Sequence, residues 1–316
     1  MKYCLFLYLF SISIYVAAQQ KFSKEISLVT DNDLYVSIGR DRYYTNGTFL
    51  SYRYLVKHKN DKLEKKIIEW QIGQEMFTPN KAVVQDIKQH DRPFAAYLYG
   101  SFGIKKVYKK NRILNTALQI GVIGSNAFGE ELQGFIHDIY GFEEAVGWQY
   151  QIKNAFSLNF DATHTNFLIK NKSHTFDVYW VNSGRLGTIH TNISSGLHLR
   201  FGFITLQKMM NSIAFNTNLN NENTNFKSAV ESFFFIKPTL RYTFYDATLQ
   251  GSFLNTTNEV SKELIPVVFS IELGFKFTAN RFNFGYVFKY NTNKSKDLRY
   301  SYGHKYGTVI INYLLH

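Results

Sequence analysis

Apolar and polar side chains alternate along much of this chain with a period of two residues. Over 267–277 every odd position is apolar or aromatic, whereas Glu272 and Lys276 occupy the opposite face. Over 281–290 the even positions are aromatic, and Lys289 lies on the other face. This alternation predicts β-strands that each have one apolar face.

The same pattern recurs along the whole chain and predicts about twelve strands. No low-complexity tract or domain linker interrupts them, so we expect a single domain over 19–316. The predicted strands are 24–35, 43–57, 64–77, 93–107, 112–125, 147–160, 174–187, 188–204, 229–246, 264–277, 281–290 and 305–315.

A soluble β-sandwich also alternates, but two features favour a transmembrane antiparallel β-barrel. Most of the predicted strands run about ten to fourteen residues, which is the length that a tilted strand needs to cross a bilayer. One face is almost wholly apolar and aromatic, and the other carries Lys, Glu, Arg and Gly. A barrel turns the first face to lipid and the second to its lumen, and closure removes the edge strands.

The N-terminus predicts export. Residues 1–18 have a basic start, a short apolar run and a small-residue end at Ala17 and Ala18, which is the pattern of a signal peptide. The single cysteine, Cys4, lies inside this segment, so the predicted mature chain has neither a disulfide nor a thiol nucleophile.

The chain carries a formal net charge of +12, which indicates a partner that bears phosphate groups. Export argues against nucleic acid, and a phosphorylated lipid surface fits better. A simpler interpretation is that Lys and Arg merely make the turns soluble. This holds for at least half of the basic residues, because 57–66 and 105–112 have the composition of charged turns. We expect a membrane-embedded monomer.

Strand counting places the polar clusters at one rim. If the first strand starts in the periplasm, as in outer-membrane barrels, the clusters near 31–33, 41–47, 74–75 and 91–92 all fall at the outer rim. The segment 129–140 reads as a short helix at the same rim. Counting also puts the polar 205–227 loop at the inner end, so either the later strand count or this loop is unusual.

His137 is the strongest candidate for a general base, because the pKa of histidine lies near neutrality. On a helix, Gln133 lies one turn before it and Glu130 a further turn back, so we expect the three to share a face. The alternative is an ordinary histidine in a surface loop.

Oxygen-bearing side chains near the first hairpin are compatible with a Ca²⁺ site. Asp31, Asn32 and Asp33 supply such oxygens, although a plain Asn/Asp turn explains them about equally well. Thr45 offers a hydroxyl, but no Gly-x-Ser-x-Gly elbow supports a serine hydrolase. Asp91 and Arg92 could equally form an ion pair at the start of a strand.

Seven short segments in order resemble the outer-membrane lipid A 3'-O-deacylase family. The resemblance covers about residues 25–204, and the C-terminal third matches only as strands. The segments are Asn32-Asp33, Asp41 to Gly47, Gly73 to Pro79, Asp91 to Ala95, Gly129 through Gln133 to His137, Gly147-Trp148, and Leu186 to Thr188.

This resemblance implies a twelve-stranded barrel that removes the 3'-linked acyloxyacyl group of lipid A in the outer leaflet, with Ca²⁺ as cofactor. By position it makes His137 the base that activates water. Asn32 and Thr45 would belong to the catalytic site, and Asp33 would hold the calcium. Supporting or substrate-facing roles would fall to Asp31, Gln74, Glu75, Asp91, Arg92, Glu130 and Gln133.

Two departures from the family pattern bear on activity. The family's lysine on an inner strand has no counterpart in 73–79, where Gln74 and Glu75 stand, and the chain ends in Leu315-His316 without a terminal aromatic residue. Two alternatives to a lipid A deacylase therefore stay open. One is a barrel without catalysis, such as a pore, a structural protein or a lipid-binding protein, and the other is a phospholipase on the same scaffold.

Overall fold

The computed structural model describes residues 21–36, 42–221 and 230–316. Within these ranges, twelve antiparallel strands form a closed barrel in which each strand pairs with its sequence neighbours and β1 pairs with β12. The predicted signal peptide and Asp41 lie outside the described residues. The strands are β1 Lys24–Asn32, β2 Tyr43–Val56, β3 Leu63–Thr78, β4 Ala95–Tyr108, β5 Arg112–Ile123, β6 Ala155–Lys170, β7 Phe176–Gly187, β8 His190–Gly202, β9 Ser232–Asp246, β10 Val267–Ala279, β11 Phe282–Asn291 and β12 His304–Leu315.

The predicted fold class is confirmed, and the sixth strand is the main error. We predicted it at 147–160, but β6 runs from Ala155 to Lys170. Gly147, with a φ of 124°, precedes a 3-10 turn that opens at Trp148. The backbone N–H of Ile152 then donates to Phe94 O at 2.9 Å, which holds this segment against the loop before β4.

Alternation along the strands separates a lipid face from a lumen face. Leu50, Trp70 and Ile72 are more than half exposed on the outside of the wall. The intervening positions line a polar cavity of about 520 Å³ inside the barrel, with Glu75 and Arg185 among its walls. In the part of the chain that the structure describes, no helix is both long and apolar enough to cross a membrane.

The two ends of the barrel differ in their connections. The turns 57–62, 109–111, 171–175 and 280–281 lie at one end and are short, whereas 79–94, 124–154 and 247–266 lie at the other and are long. Short turns face the periplasm in barrels of this kind. The long loops therefore mark the outer rim, as predicted from strand counting.

The connection after β8 lies at the inner end and folds into the lumen. Its residues 205–221, the lumen plug, are bound by inward-facing lysines. Lys65 Nζ donates to Asn211 Oδ1 and to Thr217 O, both at 2.8 Å, and Lys105 Nζ donates to Phe215 O at 2.7 Å. The strand count is therefore confirmed, and 205–221 is the unusual part of this loop; residues 222–227 lie outside the described residues.

Arg200 on β8 fixes the plug to the wall. Its guanidinium is fully buried and donates to both carboxylate oxygens of Asp177, at 2.9 and 2.6 Å. It also donates to Glu231 Oε1 at 2.9 Å and to Ser212 Oγ at 2.5 Å. Since a buried charge is costly unless paired and hydrogen-bonded, this network ties the plug to β7, β8 and the start of β9.

Candidate active site

The rim helix, Gly129–Tyr140, holds the candidate base as predicted. It ends at Gly141, whose φ of 69° suits a glycine at a helix C-terminus and whose N–H donates to His137 O. Its buried residues are Gly129, Gln133 and His137. Glu130 lies in the first turn and is exposed, so the three residues that we expected on one face are divided.

A close approach at Gly129 packs the rim helix against the barrel wall. A Cβ at this position would lie 2.5 Å from Ala96 Cβ and 2.6 Å from the Trp148 ring. Trp148 is fully buried and packs on Phe94, with the ring centroids 4.9 Å apart. Only a residue without a side chain lets the helix approach the sheet this closely.

Hydrogen bonds orient the imidazole of His137. Its Nδ1 lies 2.5 Å from Glu143 O, a carbonyl that can only accept, so Nδ1 carries the proton of a neutral ring. Nε2 is then the basic nitrogen, and the Gln133 amide nitrogen lies 3.5 Å from it. Gln133 Oε1 in turn accepts from Trp148 Nε1 at 2.7 Å, which fixes the amide orientation.

Asn32 and Asp33 form the turn at the top of β1. Asn32 Oδ1 accepts from Leu34 N–H at 2.7 Å, and the buried Asp33 accepts from Arg42 N–H at 2.8 Å through Oδ2. The turn folds over the outside of the barrel, because Tyr35 O accepts from the outward-facing Tyr286 hydroxyl at 3.0 Å.

A β-bulge places Thr45 on the outer face. The pairing of β2 with β3 shifts between Tyr44 and Asn46, so Thr45 is the extra residue. Its hydroxyl lies 2.6 Å from that of Thr78, which belongs to the same face of β3 as Met76. Tyr44, just before the bulge, points into the lumen cavity instead.

The strand register aligns these groups along one wall. Asn32 pairs with Asn46, Asn46 with Met76, and Met76 with Ala96, on which the rim helix packs. These four positions continue the outward-facing rows of Leu28, Leu50 and Ile72. Three strand spacings separate Asn32 from Ala96, which is roughly 14 Å. The candidate site therefore lies on the lipid-facing wall near the outer rim.

The sheet itself divides the other predicted residues. Asp31 and Glu75 line the lumen cavity, where Asp31 accepts from Tyr44 OH at 2.9 Å and from Thr308 Oγ1 at 2.6 Å. Gln74 points the other way, and its amide donates to Ala127 O at 2.7 Å, just before the rim helix. Adjacent residues of the predicted cluster, such as Gln74 and Glu75, therefore point to opposite faces of the sheet.

Asp91 and Arg92 bind the outer loops together. Asp91 accepts from Tyr43 OH at 3.0 Å and from Arg299 N–H at 3.1 Å, and so joins the loop before β12 to β2. Arg92 Nη2 donates to Thr248 O at 3.0 Å. Burial lowers the pKa of Arg92 to about 10, and the guanidinium remains charged at neutral pH.

The side chains near Asp33 determine which metal ion could bind there. The described residues contain no group of three or more His, Cys, Asp or Glu side chains that could hold a metal ion. Ca²⁺ also accepts amide, hydroxyl and backbone carbonyl oxygens and water. The carboxylate of Asp33, beside the bulge at Thr45, fits a hard cation of this kind in its chemistry.

Sequence reasoning did not find three groups that shape the site. The indole N–H of Trp148 orients Gln133, Thr78 binds Thr45, and the carbonyl of Glu143 orients His137. Trp148 and Thr78 lie inside segments that we singled out by resemblance, so those segments held the signal. The Glu143 contact uses the backbone, which no residue type reveals.

Comparison with known proteins identifies the family. A family model described as outer membrane protein LpxR matches residues 4–314. The solved structure of LpxR from Salmonella typhimurium superposes with a TM-score of 0.73 at 19% identity, covering 92% of this chain and all of that one. The translocator domain of the autotransporter NalP from Neisseria meningitidis gives 0.44 at 11% identity, covering 98% of this chain and 94% of that one, which is too low to support an inference.

A comparison with curated proteins gave no match. The family match spans nearly the whole chain, and the closed barrel of twelve strands agrees with the solved LpxR structure. The protein is therefore a β-barrel of the Gram-negative outer membrane, and the chain belongs to the LpxR family of outer membrane proteins.

Proposed function

We propose that this barrel is a lipid A deacylase that hydrolyses the 3'-linked acyloxyacyl ester in the outer leaflet. The observation that carries the proposal is the hydrogen bond from His137 Nδ1 to Glu143 O, which leaves Nε2 as the basic nitrogen. His137 belongs to a helix packed on the outer wall, beside the leaflet that holds lipid A. An ester carried by a membrane lipid can reach such a site without entering the lumen.

In this proposal, His137 Nε2 takes a proton from water as the oxygen attacks the ester carbonyl. The acyl C–O bond then breaks, the sugar oxygen leaves with the proton, and the intact acyloxyacyl fatty acid is released. Gln133 is a positioning residue, because its amide faces Nε2 while Trp148 holds its carbonyl.

Ca²⁺ is proposed as the cofactor, with Asp33 as its carboxylate ligand and neighbouring amide, hydroxyl and carbonyl oxygens completing the site. When bound, Ca²⁺ would polarise the ester carbonyl and stabilise the oxyanion. Asn32 caps the turn that holds Asp33, and it would keep this carboxylate in place.

The alternative of an open pore is disfavoured, because the lumen plug occupies the inner end of the barrel. A phospholipase would use the same base and remains a distinct outcome of the assay. Purified barrel should be incubated with lipid A or with phosphatidylethanolamine, in Ca²⁺ or in EDTA, and the lipids read by mass spectrometry.

We expect loss of the 3'-linked group from lipid A in Ca²⁺, and a fall of about 10²- to 10⁴-fold in the rate for His137→Gln. His174→Ala, at an exposed histidine of an inner turn, is the matched control and should keep the parental rate. Unchanged lipid A with the parent protein, or a His137→Gln variant as fast as the parent, would contradict the proposal. Release of fatty acid from phosphatidylethanolamine alone would make the protein a phospholipase.

A further inference from the structure

The positive charge of this chain is concentrated at one sector of the inner rim. The segments 57–66 and 105–112 contain ten Lys and Arg residues and only two acidic residues. They are the inner turns that join β2 to β3 and β4 to β5, together with the strand ends beside them. Lys65 and Lys105 point inward and bind the lumen plug, so eight other basic residues remain in this sector.

Four of these cations surround a cavity on the outside of the wall. The cavity has a volume of about 530 Å³, and its walls include Lys62, Lys109, Lys110 and Arg112. The two turns are joined there, because Lys109 N–H donates to Lys62 O at 3.1 Å. All four cations are exposed, and among the described residues none forms an ion pair with an acidic side chain within 4.0 Å.

The remaining wall of the cavity suits the boundary between hydrocarbon and headgroups. Tyr108 and Leu114 contribute an aromatic and an apolar surface beside the cations, and Asp61 and His164 complete the lining, so the four cations outnumber the one carboxylate. Farther along the outward face of β5, Leu118 and Ile120 are 43% and 51% exposed to the membrane. A tyrosine beside Lys and Arg, next to an apolar band, is typical of a membrane interface.

We propose that this basic cavity binds the headgroup of an anionic phospholipid from the inner leaflet. The phosphate would lie among Lys62, Lys109, Lys110 and Arg112, and an acyl chain would follow Leu114 and Leu118 along β5. Cations near an anionic membrane surface attract it, and several clustered cations make the attraction specific to one sector. Lipopolysaccharide also carries phosphate, but it occupies the outer leaflet, at the opposite end of the barrel. The site is thus separate from the candidate active site and does not depend on the proposed activity.

The test uses the full barrel in detergent micelles and native mass spectrometry, with phosphatidylglycerol as the titrated lipid. The cavity variant is Lys109→Gln, Lys110→Gln and Arg112→Gln together. The control variant, Lys170→Gln, Lys172→Gln and Arg281→Gln, removes the same charge from other positions at the inner end. We expect the apparent Kd of the first bound phosphatidylglycerol to rise by about tenfold or more in the cavity variant and by less than about twofold in the control.

Folding of each variant is checked by the heat-modifiable gel shift of a closed barrel. A cavity variant that carries Lys109→Arg, Lys110→Arg and Arg112→Lys keeps the charge and should bind as the parent does. Equal losses of phosphatidylglycerol affinity in the cavity and control variants would mean that only the general charge attracts the lipid, and they would contradict the proposed site. An unchanged Kd in the cavity variant would also overturn it. So would a rise in the Kd that is larger for lipopolysaccharide or phosphatidylcholine than for phosphatidylglycerol.

Discussion

The two ends of this barrel differ, because the outer end also places polar residues on the outside of the wall. At the inner end, charged side chains such as Lys65 and Arg200 point into the lumen and bind the plug. At the outer end, Asn32 and Thr45 lie on the outside of the wall, the side on which the rim helix packs. The inner arrangement fills the lumen, whereas the outer one buries polar groups on the membrane side of the wall.

This contrast distinguishes buried polar groups that stabilise the fold, such as Arg200, from buried polar groups that could take part in a reaction, such as His137. Arg200 has its charge matched by Asp177 and Glu231 in one closed network. His137 has its Nδ1 2.5 Å from Glu143 O and its Nε2 3.5 Å from the Gln133 amide nitrogen. In the proposed mechanism, Nε2 is the nitrogen that takes the proton from water.

Breaking the inner network should give the largest effect. Arg200→Ala removes the guanidinium and leaves Asp177 and Glu231 as buried carboxylates without their counter-ion. We expect the free energy of unfolding in lipid vesicles to fall by about 3–5 kcal/mol. Because the plug loses its main attachment to β8, ion conductance across planar bilayers should rise as well.

Arg281→Ala is the control for this change, since Arg281 lies at the same end but contacts His316 and Phe22 rather than Asp177 or Glu231. It should leave both stability and conductance near the parental values. A parental conductance in Arg200→Ala would mean that the plug is held by its apolar contacts with the wall. Those contacts join Leu206 and Ile213 to Phe233, Phe235 and Val287.

The rim helix offers a second way to test the contrast, through two glycines of one helix. Gly129→Ala places a methyl group 2.5 Å from Ala96 Cβ, so the helix must move off the wall. We expect a loss of about 1–3 kcal/mol in stability from this overpacking, with a larger fractional loss of lipid A hydrolysis. The measurements are unfolding in urea and the rate of acyl release.

Gly134→Ala is the matched control, because no atom lies within 4 Å of a Cβ at that position. Alanine favours a helix over glycine by about 0.5–1 kcal/mol, so this variant should be as stable as the parent or more stable. If both substitutions had the same effect, the close approach at Gly129 would not be what positions the helix.

The barrel could be predicted from the sequence because period-two alternation reports directly on which residues face lipid. The failure at the sixth strand has a local cause. Trp148 and Tyr150 resemble strand aromatics, yet Gly147 starts a turn that buries Trp148 under the rim helix. Burial under a helix and exposure to lipid both select aromatic residues, so composition alone does not separate them.

The candidate site was only partly predictable. Period two already implies that Asp31 and Asn32 face opposite sides, so their division by the sheet was open to sequence reasoning. The bulge at Thr45 was not, because it depends on how β2 registers with β3. The sequence also did not show that the plug folds into the lumen. The inward positions of Lys65 and Lys105 nevertheless require buried hydrogen-bond partners near the inner end.

The smallest expected effect tests whether the outer polar groups serve chemistry or only the fold. Thr45→Val keeps the shape of the side chain and removes the hydroxyl that lies 2.6 Å from Thr78 Oγ1. Stability should fall by about 1 kcal/mol, the usual worth of one hydrogen bond, because Thr78 keeps a contact of 3.4 Å to Pro79 O. Thr45→Ser retains a hydroxyl and should restore both properties. If Thr45 faces the substrate, acyl release by Thr45→Val will fall by more than about tenfold while the barrel stays folded. A fall in stability without a fall in the rate would instead assign this hydroxyl pair to the fold, like the network at the inner end.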